Sequence, residues 1–337
     1  MIEILSPISK GLMQLAGVLS IGLLLSICFL DTDIKGAVNN SKLVKKAKSL
    51  ILVWLLTTSL FILVQISYLL EQPFLSSFDL TVIRSYLTQT SVGKSYLIQI
   101  IGLIIILSIS IKRILTTYFL LLISLIVIIA PVFQSHGSSS GNHGLAIGAL
   151  VIHVIALSFW VGGVIALGAL SAEDRPIAVP RFSQLALWSA IAVVISGAVN
   201  AWARLNFVDA WNSSYAFIVA GKIVATIVLV FIGYLHRKTL ARKDSINWIG
   251  FAKLLTVEAA IMVVTVLMGT WLSTSASPDR PGVQEFNAAI SIVGIPTPPP
   301  PTLSRILFSY EPNALMIGIL SLMVALYIKG VVVLTKR

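Results

Sequence analysis

The chain has 337 residues, of which 57% are hydrophobic and only 11% are charged, whereas a soluble globular protein carries about 25% charged residues. This composition excludes a soluble globular domain and indicates an integral membrane protein. The net charge of +11 does not indicate a nucleic-acid partner, because the basic residues lie in short loops between apolar runs. The single cysteine, Cys28, excludes an internal disulfide and a multi-cysteine metal cluster.

Nine apolar runs are long enough to cross a bilayer, which takes roughly 20 residues of helix. Each run is predicted to be an α-helix, because lipid offers no hydrogen-bond partners to an open backbone. The predicted fold is therefore an all-α, polytopic membrane helix bundle with about nine transmembrane helices. In chain order the runs are about 11–30, 50–70, 95–111, 114–134, 145–170, 182–203, 215–235, 251–273 and 313–334.

Lysine and arginine collect in four segments on one side of this arrangement. These basic segments are 31–49, 112–113, 236–244 and the C-terminal TKR, and the loops on the other side are poor in both residue types. The positive-inside rule places the basic segments in the cytoplasm. The N-terminus is thus predicted to lie outside and the C-terminus inside, in a multi-pass protein of the cytoplasmic membrane.

The runs and loops divide the chain into four predicted regions. Residues 1–134 form an N-terminal four-helix membrane region, and 135–273 form a second four-helix membrane domain. Residues 274–312 form an extracytoplasmic connector whose PTPPPP run is stiff and cannot enter a helix interior. Residues 313–337 contain the last transmembrane helix.

Ionisable side chains inside a membrane span are costly and often mark functional positions. Three such residues are His153 in the fifth run, Lys222 in the seventh and Glu258 in the eighth. Counted along their helices, His153 and Lys222 fall at a similar depth below the outer surface. Ser196 and Asn200 of the sixth run reach the same depth, so a polar site is predicted in the outer half of the bundle.

Histidines point to a metal at this site. His136 and His143 lie in the loop HGSSSGNH at the outer mouth of the fifth run. Imidazole is a common ligand of copper and zinc, and a thioether suits Cu(I), which makes Met268 of the eighth run a further candidate ligand. His143 and His153 are too far apart to share a helical turn. The pattern therefore favours a relay in which the loop histidines capture an ion and His153 receives it.

Each of these residues also has a plainer interpretation. His153 can serve as a histidine hydrogen-bonded between helices, and the Gly/Ser loop as a linker that carries incidental histidines. Lys222 can balance an anionic group, carry a proton or extend its ammonium to the interface. Glu258 can pair with the basic loop that begins at His236, or relay protons from the inner side. The sequence contains no nucleophile elbow, phosphate loop or HExxH motif, and no enzyme is predicted.

Several ordered motifs resemble those of the copper resistance protein D (CopD) family. They are HVIALSFWVGG (153–163), RFSQLALWSAIAVVISGAVNAWARL (181–205), SYAFIVAGK (214–222) and LLTVEAAIMVVTVLMGTWLSTSASP (254–278). The resemblance is strong over the second membrane domain and loose over the first four spans. The WVGG segment of the first motif is also a small-residue patch on which a neighbouring helix can pack closely.

This resemblance implies copper as Cu(I) or Cu(II), import across the cytoplasmic membrane, and delivery by a separate periplasmic or extracellular chaperone. It carries over to His136, His143 and His153 as candidate ligands, with Lys222 and Glu258 as charged partners. Ala216 and Phe217 stand where the family usually has Gly-Arg, so an arginine role is lost there.

Two alternatives to copper import stay open. The His/Lys pair at one depth also resembles the HemJ protoporphyrinogen oxidase family, which implies a haem-binding or redox protein with haem b. The C-terminal segment 313–337 resembles the start of a cytochrome c oxidase assembly (CtaG-type) domain. That resemblance implies a helper that binds copper and hands it to oxidase assembly factors without moving it across the membrane.

Overall fold

The computed structural model describes residues 2–30, 41–74, 78–111, 114–134, 143–168, 170, 175–205, 211, 213–241 and 248–275. All regular secondary structure in these residues is helical. In chain order the helices are α1 (Ile2–Leu30), α2 (Ser41–Leu69), α3 (Leu80–Gln89), α4 (Ser91–Ser108), α5 (Ile114–Ile129), which continues as the 3-10 turn Ala130–Gln134, α6 (His143–Gly168), α7 (Arg175–Arg204), α8 (Ser214–Ala241) and α9 (Trp248–Thr274).

Eight of these helices, all except α3, are long and apolar enough to cross a membrane. They coincide with the first eight predicted runs, which confirms an all-α polytopic bundle. The ninth run, 313–334, and the connector from residue 276 onward lie outside the described residues. The loop charges predict the orientation, so "outer end" below means the end that holds the start of α1 and the end of α9.

The short helix α3 was not predicted from the sequence. Asp79 caps its start by accepting a hydrogen bond from the Thr81 amide at 2.8 Å. Thr90 ends it and starts α4, because its hydroxyl donates to the Tyr86 carbonyl and accepts from the Gly93 amide, each at 2.8 Å. One threonine therefore turns the chain from a short outer helix into a transmembrane helix.

Helix α1 occupies the centre of the bundle, in contact with α2, α5, α6, α7 and α9. Its closest approach is to α6, where a Cβ built on Gly22 would lie 2.0 Å from the Gly162 carbonyl oxygen. Gly162 belongs to the WVGG segment, which the sequence predicted to be a close-packing patch. The next residue, Gly163, makes room for the Phe182 ring of α7, which would lie 2.1 Å from an added Cβ.

Lys48 of α2 fixes the inner end of α4. Its ammonium donates to the carbonyl oxygens of Ile106 at 2.5 Å, Leu107 at 2.9 Å and Ile109 at 2.5 Å. These carbonyls belong to the last turn of α4 and the residue after it, and the end of a helix carries partial negative charge. A basic side chain of the inner loop region thus also serves as a helix cap.

The remaining four helices pack as two pairs, α6 with α7 and α8 with α9. Helix α8 exposes most of its length, as expected of a lipid-facing helix. The polar side chains predicted to form a site lie on these four helices.

Candidate functional site

His153 lies on α6 and faces α7. Its Nδ1 atom is 3.1 Å from the Ser196 hydroxyl oxygen and 3.2 Å from the Val193 carbonyl oxygen. The ring also lies against Gly197, where an added Cβ would be 3.3 Å from Cε1 of His153. A glycine at this position therefore lets the imidazole rest directly on the α7 backbone.

These contacts determine the tautomer of the His153 ring. The Ser196 hydroxyl donates its own proton within α7, with the carbonyls of Ala192 and Val193 in reach. The Val193 carbonyl can only accept, so Nδ1 carries the ring proton, and the Ser196 hydroxyl can accept from the same N–H while it donates within α7. Nε2 is left with its lone pair, and none of the described residues forms a hydrogen bond with it. An imidazole held in this way is prepared to bind a metal ion through Nε2.

One face of α7 extends the site toward the outer end through residues spaced four apart. Asn200 donates its side-chain amide to the Ser196 carbonyl at 2.9 Å. One turn further, Arg204 donates to the Tyr215 hydroxyl of α8 at 2.9 Å and lies 5.7 Å from the centre of that ring. Along this face of α7, the His153 imidazole lies beside Ser196, and the Arg204 guanidinium lies two turns nearer the outer end.

Lys222 and Met268 approach from the other helix pair. A Cβ built on Gly269 of α9 would lie 3.1 Å from Nζ of Lys222, and one built on Gly221 of α8 would lie 2.7 Å from Cε of Met268. The Lys222 side chain of α8 thus lies on Gly269 of α9, and the Met268 side chain of α9 lies on Gly221 of α8. The Lys222 ammonium is near enough to interact electrostatically with the His153 ring.

The structure brings together only part of the predicted set. His153, Ser196 and Asn200 are linked by hydrogen bonds, and Lys222 lies within electrostatic range. His136 is outside the described residues; His143 begins α6, and its side chain is also outside them. Within the part of the chain that the structure describes, no three His, Cys, Asp or Glu side chains form a metal-binding group.

Glu258 lies elsewhere, in the inner half of the bundle. Its carboxylate oxygen is 3.1 Å from Nε2 of His236, and both side chains are buried. This is the pairing with the start of the basic inner loop that the sequence offered as one of two interpretations. Glu258 therefore does not belong to the outer site.

Lys10 of α1 was missed by sequence reasoning. It is half-buried, and its ammonium lies near enough to the Arg204 guanidinium of α7 for the two positive charges to repel each other. The neighbouring Gly11 packs on α9, where an added Cβ would be 3.2 Å from the Thr270 hydroxyl oxygen. The signal was present in the sequence, since Lys10 directly precedes the first predicted span, 11–30.

The fold and the site together define a class: a polytopic helical membrane protein with a buried polar site. The site consists of an oriented imidazole, His153, near a cationic side chain, Lys222. Two family models identify it further: "Copper resistance protein D" matches residues 176–272, and "Copper resistance protein D-like, N-terminal domain" matches residues 1–145. The chain belongs to the copper resistance protein D family. No curated protein and no solved structure matches it.

These matches confirm the resemblance drawn from the sequence motifs and extend it. The first four spans, where the motif resemblance was loose, fall within the N-terminal family model. The resemblance of residues 313–337 to a CtaG-type domain stays a prediction, and these residues lie outside the described part of the chain.

Proposed function

We propose that this protein binds copper in the outer half of its bundle and moves it inward across the cytoplasmic membrane. Membership of the copper resistance family supports copper as the cargo. The observation that carries the binding step is the pair of contacts from Val193 and Ser196, which hold the proton on Nδ1 of His153 and leave Nε2 free as a ligand. Copper is the substrate in this proposal, and no enzymatic reaction is involved.

The available donors suit Cu(I). A nitrogen from His153 and the thioether of Met268 are ligands that favour the softer oxidation state, and loop histidines can complete a low coordination number. His136 and His143 remain the candidates for capture at the surface. This assignment keeps the relay order predicted from the sequence, with loop histidines first and His153 second.

The charges around the site bear on the form in which copper arrives. Lys10, Lys222 and Arg204 all carry basic groups in the outer half, whereas the one buried acid among the described side chains, Glu258, is in the inner half. A bare metal cation would be repelled by these groups. A cuprous complex with anionic ligands, such as a chloride complex, would instead be attracted. This role matches the interpretation of Lys222 as a counter-charge for an anionic group.

The binding step is tested by anaerobic Cu(I) loading of the purified protein in detergent. We expect tight copper in the native chain and its loss in His153→Phe, a change that keeps a flat ring but removes the nitrogen. His236→Phe is the matched control, because it makes the same exchange in the inner half and should retain copper. Equal copper in the native chain and His153→Phe would overturn the proposal.

Transport is tested separately, by copper uptake into proteoliposomes. Accumulation inside vesicles supports import, whereas binding without accumulation supports the alternative of a delivery helper for oxidase assembly. The visible spectrum of the unloaded protein tests the haem alternative, since bound haem gives a Soret band. No contact among the described residues favours haem over copper.

A further inference from the structure

A cavity of about 530 Å³ lies in the inner half of the bundle, away from the copper site. It is enclosed by the α6–α7 pair on one side and the α8–α9 pair on the other. Its volume falls within the range of roughly 300–1,000 Å³ typical of sites for small organic molecules. Apolar side chains form most of its wall, and the polar side chains that line it are Ser183, His236, Arg237 and Glu258.

The polar end of this cavity contains an unused hydrogen-bonding atom. His236 and Glu258 are 8% and 2% exposed, and Nε2 of His236 is 3.1 Å from the Glu258 carboxylate. Both ring nitrogens are buried and neither forms a hydrogen bond with the described residues, although Nε2 lies within ion-pair distance of the carboxylate. A buried polar atom without a partner is costly, so its presence beside a cavity indicates a ligand.

The carboxylate also determines what kind of ligand group Nδ1 can bind. A carboxylate only accepts hydrogen bonds, so in the neutral imidazole it favours the ring proton on Nε2. Nδ1 then carries a lone pair and accepts a hydrogen bond. The group that completes the site is therefore a donor, such as a hydroxyl, rather than a carbonyl.

The walls favour a flat ring that comes from the bilayer. Aromatic side chains line the cavity, namely Trp160, Phe182, Tyr234 and Phe251, and aromatic walls pack well on planar rings. His236 itself meets Phe251 edge to face, with 4.3 Å between ring centres. Tyr234 is 42% exposed on the surface of α8 and marks the mouth of the cavity. This surface faces lipid, so the ligand enters sideways from the hydrocarbon.

We propose that the inner cavity binds a lipid-soluble quinol, that is, a hydroxylated aromatic ring with an apolar tail. One ring hydroxyl donates to Nδ1 of His236, the ring lies between the aromatic walls, and the tail leaves past Tyr234 into the bilayer. Arg237, which donates to the Ser183 carbonyl of α7 at 3.4 Å, bridges the two helix pairs at this cavity. The inference concerns binding and does not depend on the copper site.

The test is an anaerobic calorimetric titration of the purified protein with menadiol, and with its oxidised form menadione. Because menadione has no hydroxyl to donate, we expect menadiol to bind about tenfold or more tightly. His236→Phe should abolish this preference and weaken menadiol binding to a similar extent. His153→Phe, the matched change in the outer half, should bind menadiol like the native chain.

Glu258→Gln provides a second variant in which the ring is retained. Its amide can either accept from or donate to Nε2, so the proton is no longer held there and Nδ1 can become a donor. The preference for menadiol over menadione should then shrink by several fold. Helical circular dichroism and a monodisperse gel-filtration profile of each variant show that the fold is intact.

Two outcomes would overturn the proposal. They are equal or tighter binding of menadione in the native chain, and native-like menadiol binding by His236→Phe. Each can occur whether or not copper binds to His153, so failure here is distinguishable from failure of the proposed function.

Discussion

His153 illustrates how two neighbours determine which atom of a residue is available. Without Ser196, only the Val193 carbonyl would hold the proton on Nδ1, and the ring could turn. We expect Ser196→Ala to weaken Cu(I) affinity by about 10–100-fold, the usual effect of losing an outer partner of a metal ligand, without changing how much copper binds at saturation. Competition with a cuprous chelator measures this affinity. Ser189→Ala, also a buried serine of α7, is the control.

A result in which Ser196→Ala and Ser189→Ala bind copper equally well would show that His153 is positioned by packing alone. The hydrogen bond to Ser196 would then play no part in orienting Nε2 toward the copper ion.

Lys222 allows a test of the form in which copper arrives. If the ammonium attracts an anionic cuprous complex, Cu(I) loading of the native chain should rise with chloride and fall when chloride is replaced by gluconate. Lys222→Met should lose this dependence, because the counter-charge is gone. Lys253→Met, which changes an exposed lysine at the inner mouth of α9, should keep it. Chloride dependence unchanged in Lys222→Met would rule out this role.

At the scale of residues, sequence reasoning could find the polar groups and their depth, because counting along a helix gives depth directly. It placed His153, Ser196 and Lys222 at one level; in the structure His153 contacts Ser196, and Lys222 lies within electrostatic range of the ring. It could not determine which imidazole nitrogen is free, since this depends on the Val193 backbone and on where the Ser196 hydroxyl donates. Lys10 was missed because α1 begins earlier than its apolar run.

Among the helices, α4 depends on a cap supplied by another helix. Removing the Lys48 ammonium leaves the carbonyls of Ile106, Leu107 and Ile109 without their donor, at a cost of about 1.5–3 kcal/mol for a charged hydrogen-bonding group. We expect Lys48→Met to increase hydrogen exchange in the last turn of α4, with little change elsewhere. Lys45→Met removes an exposed lysine from the same helix and should leave the exchange unchanged.

The crossing of α1 and α6 tolerates no side chain. A Cβ at Gly22 would overlap the Gly162 carbonyl, so Gly22→Leu should force the helices apart at a cost of about 3 kcal/mol or more. Thermal unfolding in detergent measures this loss. Gly148→Leu is the control, because nothing lies within 4 Å of a Cβ added there. Equal stability of the two variants would contradict the close crossing.

The sequence predicted the first eight transmembrane helices well, because each needs a long apolar run and hydropathy reports this. Their ends were less well predicted: α1 begins at Ile2 and α7 at Arg175, since both helices continue into polar residues beyond the apolar run. The ten-residue α3 was missed because it is too short and too polar to register as a span.

For the whole molecule, the orientation in the membrane follows from loop charge and can be tested directly. In a Cys28→Ser background, Ser139→Cys in the predicted outer loop should react with a membrane-impermeant maleimide in intact cells. Ser245→Cys, in the predicted inner loop, should react only after the membrane is opened. The reverse pattern would place the histidine loop inside and reverse the proposed direction of transport.

The class of molecule was evident from composition, and the family from ordered motifs, but the packing was not. Hydropathy says that a helix is in the membrane without saying which helices it contacts. The central position of α1 arises from small residues such as Gly11, Gly22 and Gly162, whose partners are far apart in the sequence. The predicted division into regions 1–134 and 135–273 stays a prediction, and α1 packs on helices from both.

The central position of α1 has a consequence for biogenesis. Helix α1 leaves the ribosome before α6 and α9, which cover its glycine faces and are made more than a hundred residues later. During that interval the faces around Gly11 and Gly22, together with the Lys10 ammonium, have no native partner in the bilayer. The nascent chain must therefore keep its first helix available, at the insertion site or beside a membrane chaperone, until translation of the last described helix is complete.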